Sequence, residues 1–308
     1  MGQKVKNQHY IPRMYLKRFS SDGKRICVWN LMNDEIMSRQ QPNNFASRKY
    51  FYDASKEELK DAMSEMLKLY PHVLNTIEES DGQLLEHALS RVESDVAIIM
   101  DEIIDNPQKL YDKSNMQKLI VFLHDLTYRT EIFREQLDDV KGKLLQHLEK
   151  MGVDETEIDG WNQTGRDYQL YQLLGIAPLI KTAGCLIENY NWYYGIVKGD
   201  MKLLISDNPA YGIALGFNDI CIPLCGDRAI IFRIKDKDAP ILSTDLPQGN
   251  EIILSERSVY AYNAVQLSYA NRFMFGDRSS MLLLRSFCNR RGGHKALFDK
   301  FSYSWHSV

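Results

Sequence analysis

The chain has 308 residues, 44% of them hydrophobic and 26% charged, and a formal net charge of −3. That balance excludes a disordered, collagenous or disulfide-stapled chain and is enough to bury a sizeable core, in one large domain or two ordinary ones. Five cysteines at irregular spacing (Cys27, Cys185, Cys221, Cys225 and Cys288) do not form a secreted disulfide framework, and the first twenty residues hold no apolar leader pattern, so a reducing cytoplasm is the expected location.

Arg25 to Arg39 reads as a hairpin: Ile26-Cys27-Val28-Trp29 is rich in strand formers and Met32-Asn33-Asp34-Glu35 supplies turn residues. A loop with Pro42, Asn43 and Asn44 follows. Ser55 and Glu58 then form a Ser-x-x-Glu capping box, which predicts a helix towards Glu79. Leu85, Leu89, Val92, Val96, Ile99 and Ile103 recur at helical spacing until Asn106-Pro107 stops them. Ser114 with Gln117 predicts the start of a long helix to about Glu149, striped by Leu119, Phe122, Leu126, Phe133, Leu137, Val140, Leu144 and Leu148. Gly152 to Gly165 is acidic and aperiodic, a loop. Leu170 to Ile187 is strongly apolar but interrupted by Gln172, Pro178, Lys181 and Thr182, so it reads as a buried helix pair and no membrane span is expected.

Beyond Asn189 the texture becomes that of strands: Trp192 to Val197, Met201 to Ile205, Ile220 to Leu224 and Arg228 to Ile234. Ser255 to Phe275 returns to helical spacing through Val259, Tyr262, Val265, Tyr269 and Phe273. The expected fold is α+β, one large domain over 1–308. A hairpin segment (1–54) and a sheet-plus-helix region (191–308) contribute an antiparallel sheet, packed against a helical region (55–190).

Charge is unevenly placed. From Lys56 to Gly160, 12 Lys+Arg face 24 Asp+Glu, a balance of −12 that leaves +9 for the rest. Lys4, Lys6, Arg13, Lys17, Arg18, Lys24 and Arg25 lie near one end, and Arg285, Arg290, Arg291, His294, Lys295 and Lys300 near the other. If the two ends meet they make a basic face suited to nucleic acid or a nucleotide; otherwise they are solvated surface charge.

No P-loop, dinucleotide-binding, zincin or nucleophile-elbow motif occurs, so no signature fixes a chemistry. The candidates are polar residues that interrupt apolar patterns. Glu93 falls on the stripe of Leu89, Val96 and Met100, and Arg129 on that of Phe122, Leu126 and Phe133, so each faces the core and needs a partner: either a structural salt bridge between them or a site. His9 and Arg13 lie in an aromatic, proline-fixed segment, and a histidine there is an acid, a base or a hydrogen-bonded structural group. Leu204-Ile205-Ser206-Asp207-Asn208-Pro209 ends a strand at a carboxylate, either an accessible ligand or an Asx-type turn. Cys221 and Cys225, a lone C-x-x-x-C on a strand pattern, read as structural thiols, since no second pair completes a zinc site.

Gln8 to Phe19 (QHYIPRMYLKRF), the strand end LLISDNPAYG and the following CIPLCGDRAII together resemble the bacterial family called domain of unknown function 4238. The resemblance rests on His9, Pro12, Tyr15, Leu16 and Phe19, on Ser206 to Pro209, and in the helical middle on Glu93 and Arg129-Thr130. It implies no activity and points to the same polar residues.

The functional expectation from these residues is a metal-dependent nuclease or phosphodiesterase. In it His9 is general base or acid, Glu93 and Asp207 hold Mg²⁺ or Mn²⁺, and Arg13 with Arg129 neutralises phosphate charge. The alternative is a non-enzymatic binding or regulatory module in which the same residues form a buried polar network. A metal-free transfer from a nucleotide such as NAD stands behind both.

Overall fold

The computed structural model describes residues 4–20, 22–153 and 164–290. Short β1 (Asn7–His9) pairs antiparallel with β4 (Ser47–Lys49), His9 opposite Ser47. Pro12 then starts α1 (Arg13–Lys17), whose Tyr15 and Leu16 are buried. The predicted hairpin forms as β2 (Ile26–Asn30) and β3 (Glu35–Gln40), with Asp34 in the left-handed region at its turn. It joins β10 (Phe273–Gly276) and β6 (Ile205–Ser206) in a four-stranded sheet of order β3-β2-β10-β6.

A second four-stranded sheet has the order β7-β8-β5-β9, from β7 (Asp219–Cys225), β8 (Arg228–Ile234), β5 (Tyr190–Val197) and β9 (Glu251–Leu254). The expected antiparallel sheet is therefore two sheets, and the second contains one parallel pair, β5 with β9. Both faces of this second sheet are covered, which is why β8 is apolar without alternation from Ala229 to Phe232. Ile230 and Phe232 point into the large core with the N-terminal segment and the middle helices, while Ala229 and Ile231 point into a second core. That second core is closed by Val259 and Tyr262 of α11 (Glu256–Ser268). A third cluster joins Trp29, Met274 and Leu267 to Met281 and Leu284 of α12 (Arg278–Asn289).

The Ser55/Glu58 capping box is present, but the helix it opens is broken into α2 (Lys56–Ala62), α3 (Ser64–Leu69) and α4 (Val73–Glu79). Pro71, which has no N–H to donate, separates the last two. The next stripe forms α5 (Leu84–Asp105), ended as expected at Asn106-Pro107. The long helix predicted from Ser114 is two: α6 (Lys113–Tyr128), with Asp112 rather than Ser114 at its N-cap, and α7 (Glu131–Lys150). Thr130 breaks it by turning extended and accepting a hydrogen bond from the Phe133 N–H. The apolar pair is α8 (Gly165–Leu174) and α9 (Ile176–Glu188), bent by 67°; no single helix among the described residues is long and apolar enough to cross a membrane. Met201 to Leu204 carries no strand pairing before β6, and Phe273 belongs to β10 instead of prolonging α11. Short α10 (Tyr211–Leu215) completes the chain of helices. Most of the predicted acidic loop, 154–163, and the C-terminal Arg291, His294, Lys295 and Lys300 lie outside the described residues.

Candidate functional site

Side chains alternate along β1, so the segment Gln8-His9-Tyr10 divides its polar groups between two sides. Gln8 points inward: its amide donates to Asp53 Oδ1 at 2.6 Å and its carbonyl accepts the Tyr52 N–H at 2.5 Å. Gln83 at the start of α5 also donates to Asp53, at 2.8 Å, and bonds the Val5 backbone in both directions. These bonds lash the N-terminal segment to α5 and leave His9 on the opposite side.

There a cleft of about 570 Å³ opens between the N-terminal segment and α5. One wall carries His9, Arg13 and Lys17; the other is the α5 face of Glu86, Ser90, Glu93, Ser94 and Ala97; Arg129 lies at the base. Spacings of three, four and seven put the α5 residues on one helical stripe. Arg13 and Lys17 are exposed and make no ion pair among the described residues, whereas neighbouring Arg18 is held by Asp101 at 2.8 Å and the Ala97 carbonyl at 2.7 Å.

Arg129 is 2% exposed. Its guanidinium donates to Glu93 Oε1 at 2.8 Å and to the His9 carbonyl at 2.6 Å, and its own carbonyl accepts the Tyr52 hydroxyl at 2.8 Å. A single buried cation thus ties α5, β1 and the α6–α7 break together. His9 Nε2, Glu86 Oε2 and Arg129 Nε are buried without a hydrogen-bond partner among the described residues, and all three side chains line this cleft.

Burial, helped by the charges of Arg13 and Arg129, lowers the His9 pKa to about 4 against a backbone bond with Asn43, so the imidazole is neutral at pH 7. Burial raises Glu86, with Arg129 opposing and Glu93 adding. Burial also pushes Asp125, one turn before Arg129 on α6, up to about 7, again with Arg129 opposing.

Asp207 is placed elsewhere in function. Its Oδ1 accepts the Asn271 N–H at 2.7 Å, and its Oδ2 the Arg272 and Phe273 N–H groups at 2.8 and 3.2 Å. Ser206 is bonded by Gln266, and Asn208 Nδ2 donates to the Tyr269 carbonyl. The Ser-Asp-Asn turn therefore clamps the link between α11 and β10, a backbone-binding role like that of an Asx turn but reaching a segment more than sixty residues away. Of the five sequence candidates, four (His9, Arg13, Glu93 and Arg129) line the cleft and Asp207 does not.

A family model described as Protein of unknown function (DUF4238) matches residues 7–280. The chain belongs to that family. The DUF4238 match spans every wall of the cleft from Asn7 onward and ends in the first turn of α12. No curated protein and no solved structure matches the chain.

The expected Glu93–Asp207 cation pair does not fit the donors as they stand. Both Asp207 oxygens are occupied by backbone N–H groups, Glu93 is committed to Arg129, and among the described residues no three His, Cys, Asp or Glu side chains gather to hold an ion. The Cys221 and Cys225 thiols are free, with burial raising both, Cys225 to about 11. Nor do the described parts of the two basic ends share a cleft: Arg285 is paired with Asp34 at 2.6 Å, and with Arg290 it lines a separate hollow on α12. Sequence reasoning missed Glu86, Tyr52 and Asp125. Glu86 carried a usable signal, since it lies two turns before Glu93 on the same face of α5.

Proposed function

We propose that the cleft between the N-terminal segment and α5 binds and hydrolyses a phosphate ester, as a phosphodiesterase. The observation that carries this reading is the coincidence, along one cleft, of three buried polar atoms, on His9, Glu86 and Arg129, with the cations Arg13 and Lys17, all without a partner among the described residues. Buried polar groups are normally satisfied, and a group left open at a cleft is one that a ligand or water completes. Neutral His9 accepts a proton through Nε2 from a water whose oxygen attacks phosphorus. The bond to the leaving oxygen breaks, that oxygen takes a proton from solvent, and His9 returns its own proton to solvent. Arg13 and Lys17 neutralise the phosphoryl oxygens. Arg129 is a positioning residue, holding the His9 backbone through its carbonyl. No step uses a cation held by this chain.

The test is hydrolysis of bis(p-nitrophenyl) phosphate and of cyclic and linear dinucleotides, with and without EDTA. His9→Gln is expected to lower kcat by about 100-fold or more, the usual contribution of a positioned acid or base, with an unchanged melting temperature. Arg13→Ala is expected chiefly to raise KM, and EDTA to leave the rate unchanged. Full activity in His9→Gln overturns the assignment, and a rate lost in EDTA and restored by Mg²⁺ returns a metal-dependent mechanism.

A binding or regulatory module is the second reading, and a specific observation favours it: Arg129 and Asp207 spend their bonds within the protein, Arg129 on Glu93 and the His9 carbonyl and Asp207 on backbone N–H groups. It predicts that phosphate esters bind at the cleft and are released intact.

A further inference from the structure

We infer that the ligand is a small, nucleotide-sized phosphate ester whose phosphate occupies the basic end of the cleft and whose sugar hydroxyls face Glu86. This deepens, and rests on, the phosphodiesterase reading of the same cleft.

A second hollow of about 420 Å³ adjoins the first and shares Val5, Asn7, His9 and Arg13 with it. Its remaining lining is Lys4, Lys6 and Asn43, with no carboxylate. The carboxylates of the combined cleft therefore lie on one side of a seam at His9 and Arg13: Lys4 and Lys6 on the side without them, and Glu86 and Glu93 on the other, where Lys17 also lies and Arg129 pairs with Glu93. An anion is favoured at the first end, where no carboxylate opposes the lysines. The Glu86 end calls for donors, because Glu86 Oε2 is buried there as an acceptor with none among the described residues. Neutral His9 at the seam repels neither part.

The complementary molecule is anionic at one end and rich in O–H groups at the other, which describes a phosphorylated ribose. Each hollow has the volume that encloses a small organic ligand. A nucleic-acid strand fits less well for two reasons. Its next phosphate would fall against the Glu86 carboxyl, and no Phe, Tyr or Trp ring among the described residues lines either hollow as a stacking surface for bases. The base is accordingly left unread.

Calorimetric titration of the full chain with inorganic phosphate, AMP, UMP, their 2′,3′-dideoxy analogues and a ten-residue oligouridylate tests this. AMP and UMP are expected to bind alike and about tenfold tighter than their dideoxy analogues, the size of one charge-assisted hydrogen bond. Glu86→Gln is expected to reduce that tenfold gain to less than about threefold. Equal affinity for ribose and dideoxyribose forms, or tighter binding of the oligomer than of UMP, overturns the inference. If phosphate still binds in an Arg13-dependent way the phosphodiesterase reading survives that result; if phosphate does not bind at all, that reading falls with it. The ribose comparison on the unmodified chain decides the matter even if Glu86→Gln fails to fold.

Discussion

His9 and Asp207 were singled out by the same argument, a polar group against an apolar pattern, and the structure gives them opposite uses. Asp207 satisfies three backbone N–H groups at the entrance to β10. Asp207→Ala leaves these partly buried donors without their acceptor and is expected to cost about 2 kcal/mol, read from urea unfolding at pH 7; a change below about 0.5 kcal/mol would contradict the clamp. The two groups also differ in their linkage to pH. Burial brings the folded His9 pKa down to about 4 from an ordinary 6.5, so between those values the unfolded chain binds the proton and the folded one does not. Stability from His9 is complete above pH 6.5 and is lost as pH falls towards 4. Burial raises the Asp207 carboxyl to about 6, against the pull of its backbone N–H groups, which gives an opposing slope as pH rises from about 4 to 6. The His9 contribution is therefore isolated by difference. Wild type should lose stability relative to His9→Gln between pH 7 and 4.5, and parallel curves for the two would show that the imidazole is not held neutral.

Elements with a strong local signal were legible: the hairpin at Asp34, the capping box at Ser55, the stripe and proline stop of α5, and the α8–α9 pair. The errors fall where a single residue overrides a continuing pattern. The apolar stripe of α6 runs on through Phe133 and Leu137, yet Thr130 turns extended because its hydroxyl and the Tyr52–Arg129 bond stabilise a break there. Thr130→Ala is expected to destabilise the chain by about 1 kcal/mol, the loss of an N-cap, visible as a lower urea midpoint; no change would mean that the break is held only from outside the cap. Phe273 continued the helical spacing of α11, but Asp207 captures the N–H groups of 271–273 and draws that stretch into the sheet. The parallel pairing of β9 with β5 carries no local signal at all, since it depends on where the chain returns after the 235–250 segment. Within the site, Glu93 and Arg129 were legible because a charge on an apolar stripe stands out. Asp125 has the same character but was passed over within the run His124-Asp125-Leu126-Thr127, all of it buried.

Across the molecule the basic N-terminal segment is laid against the face of α5 that carries Glu86 and Glu93, and the charge asymmetry read along the sequence becomes a cleft with one end free of carboxylates and one where they meet Arg13, Lys17 and Arg129. The C-terminal arginines that are described serve a different surface, so the phosphate-binding role rests on Lys4, Lys6 and Arg13, with Lys17 one turn beyond Arg13 on α1. Placing like charges on exposed, unpaired side chains is useful to a ligand of opposite sign and is weakened by salt. Titration of pyrophosphate into wild type and Arg13→Glu, followed by calorimetry at low and at 0.5 M salt, tests the central claim most directly. The account predicts saturable one-to-one binding in wild type that weakens with salt and falls by at least about tenfold in Arg13→Glu; no saturable binding in wild type, or equal affinity in the two proteins, would contradict it.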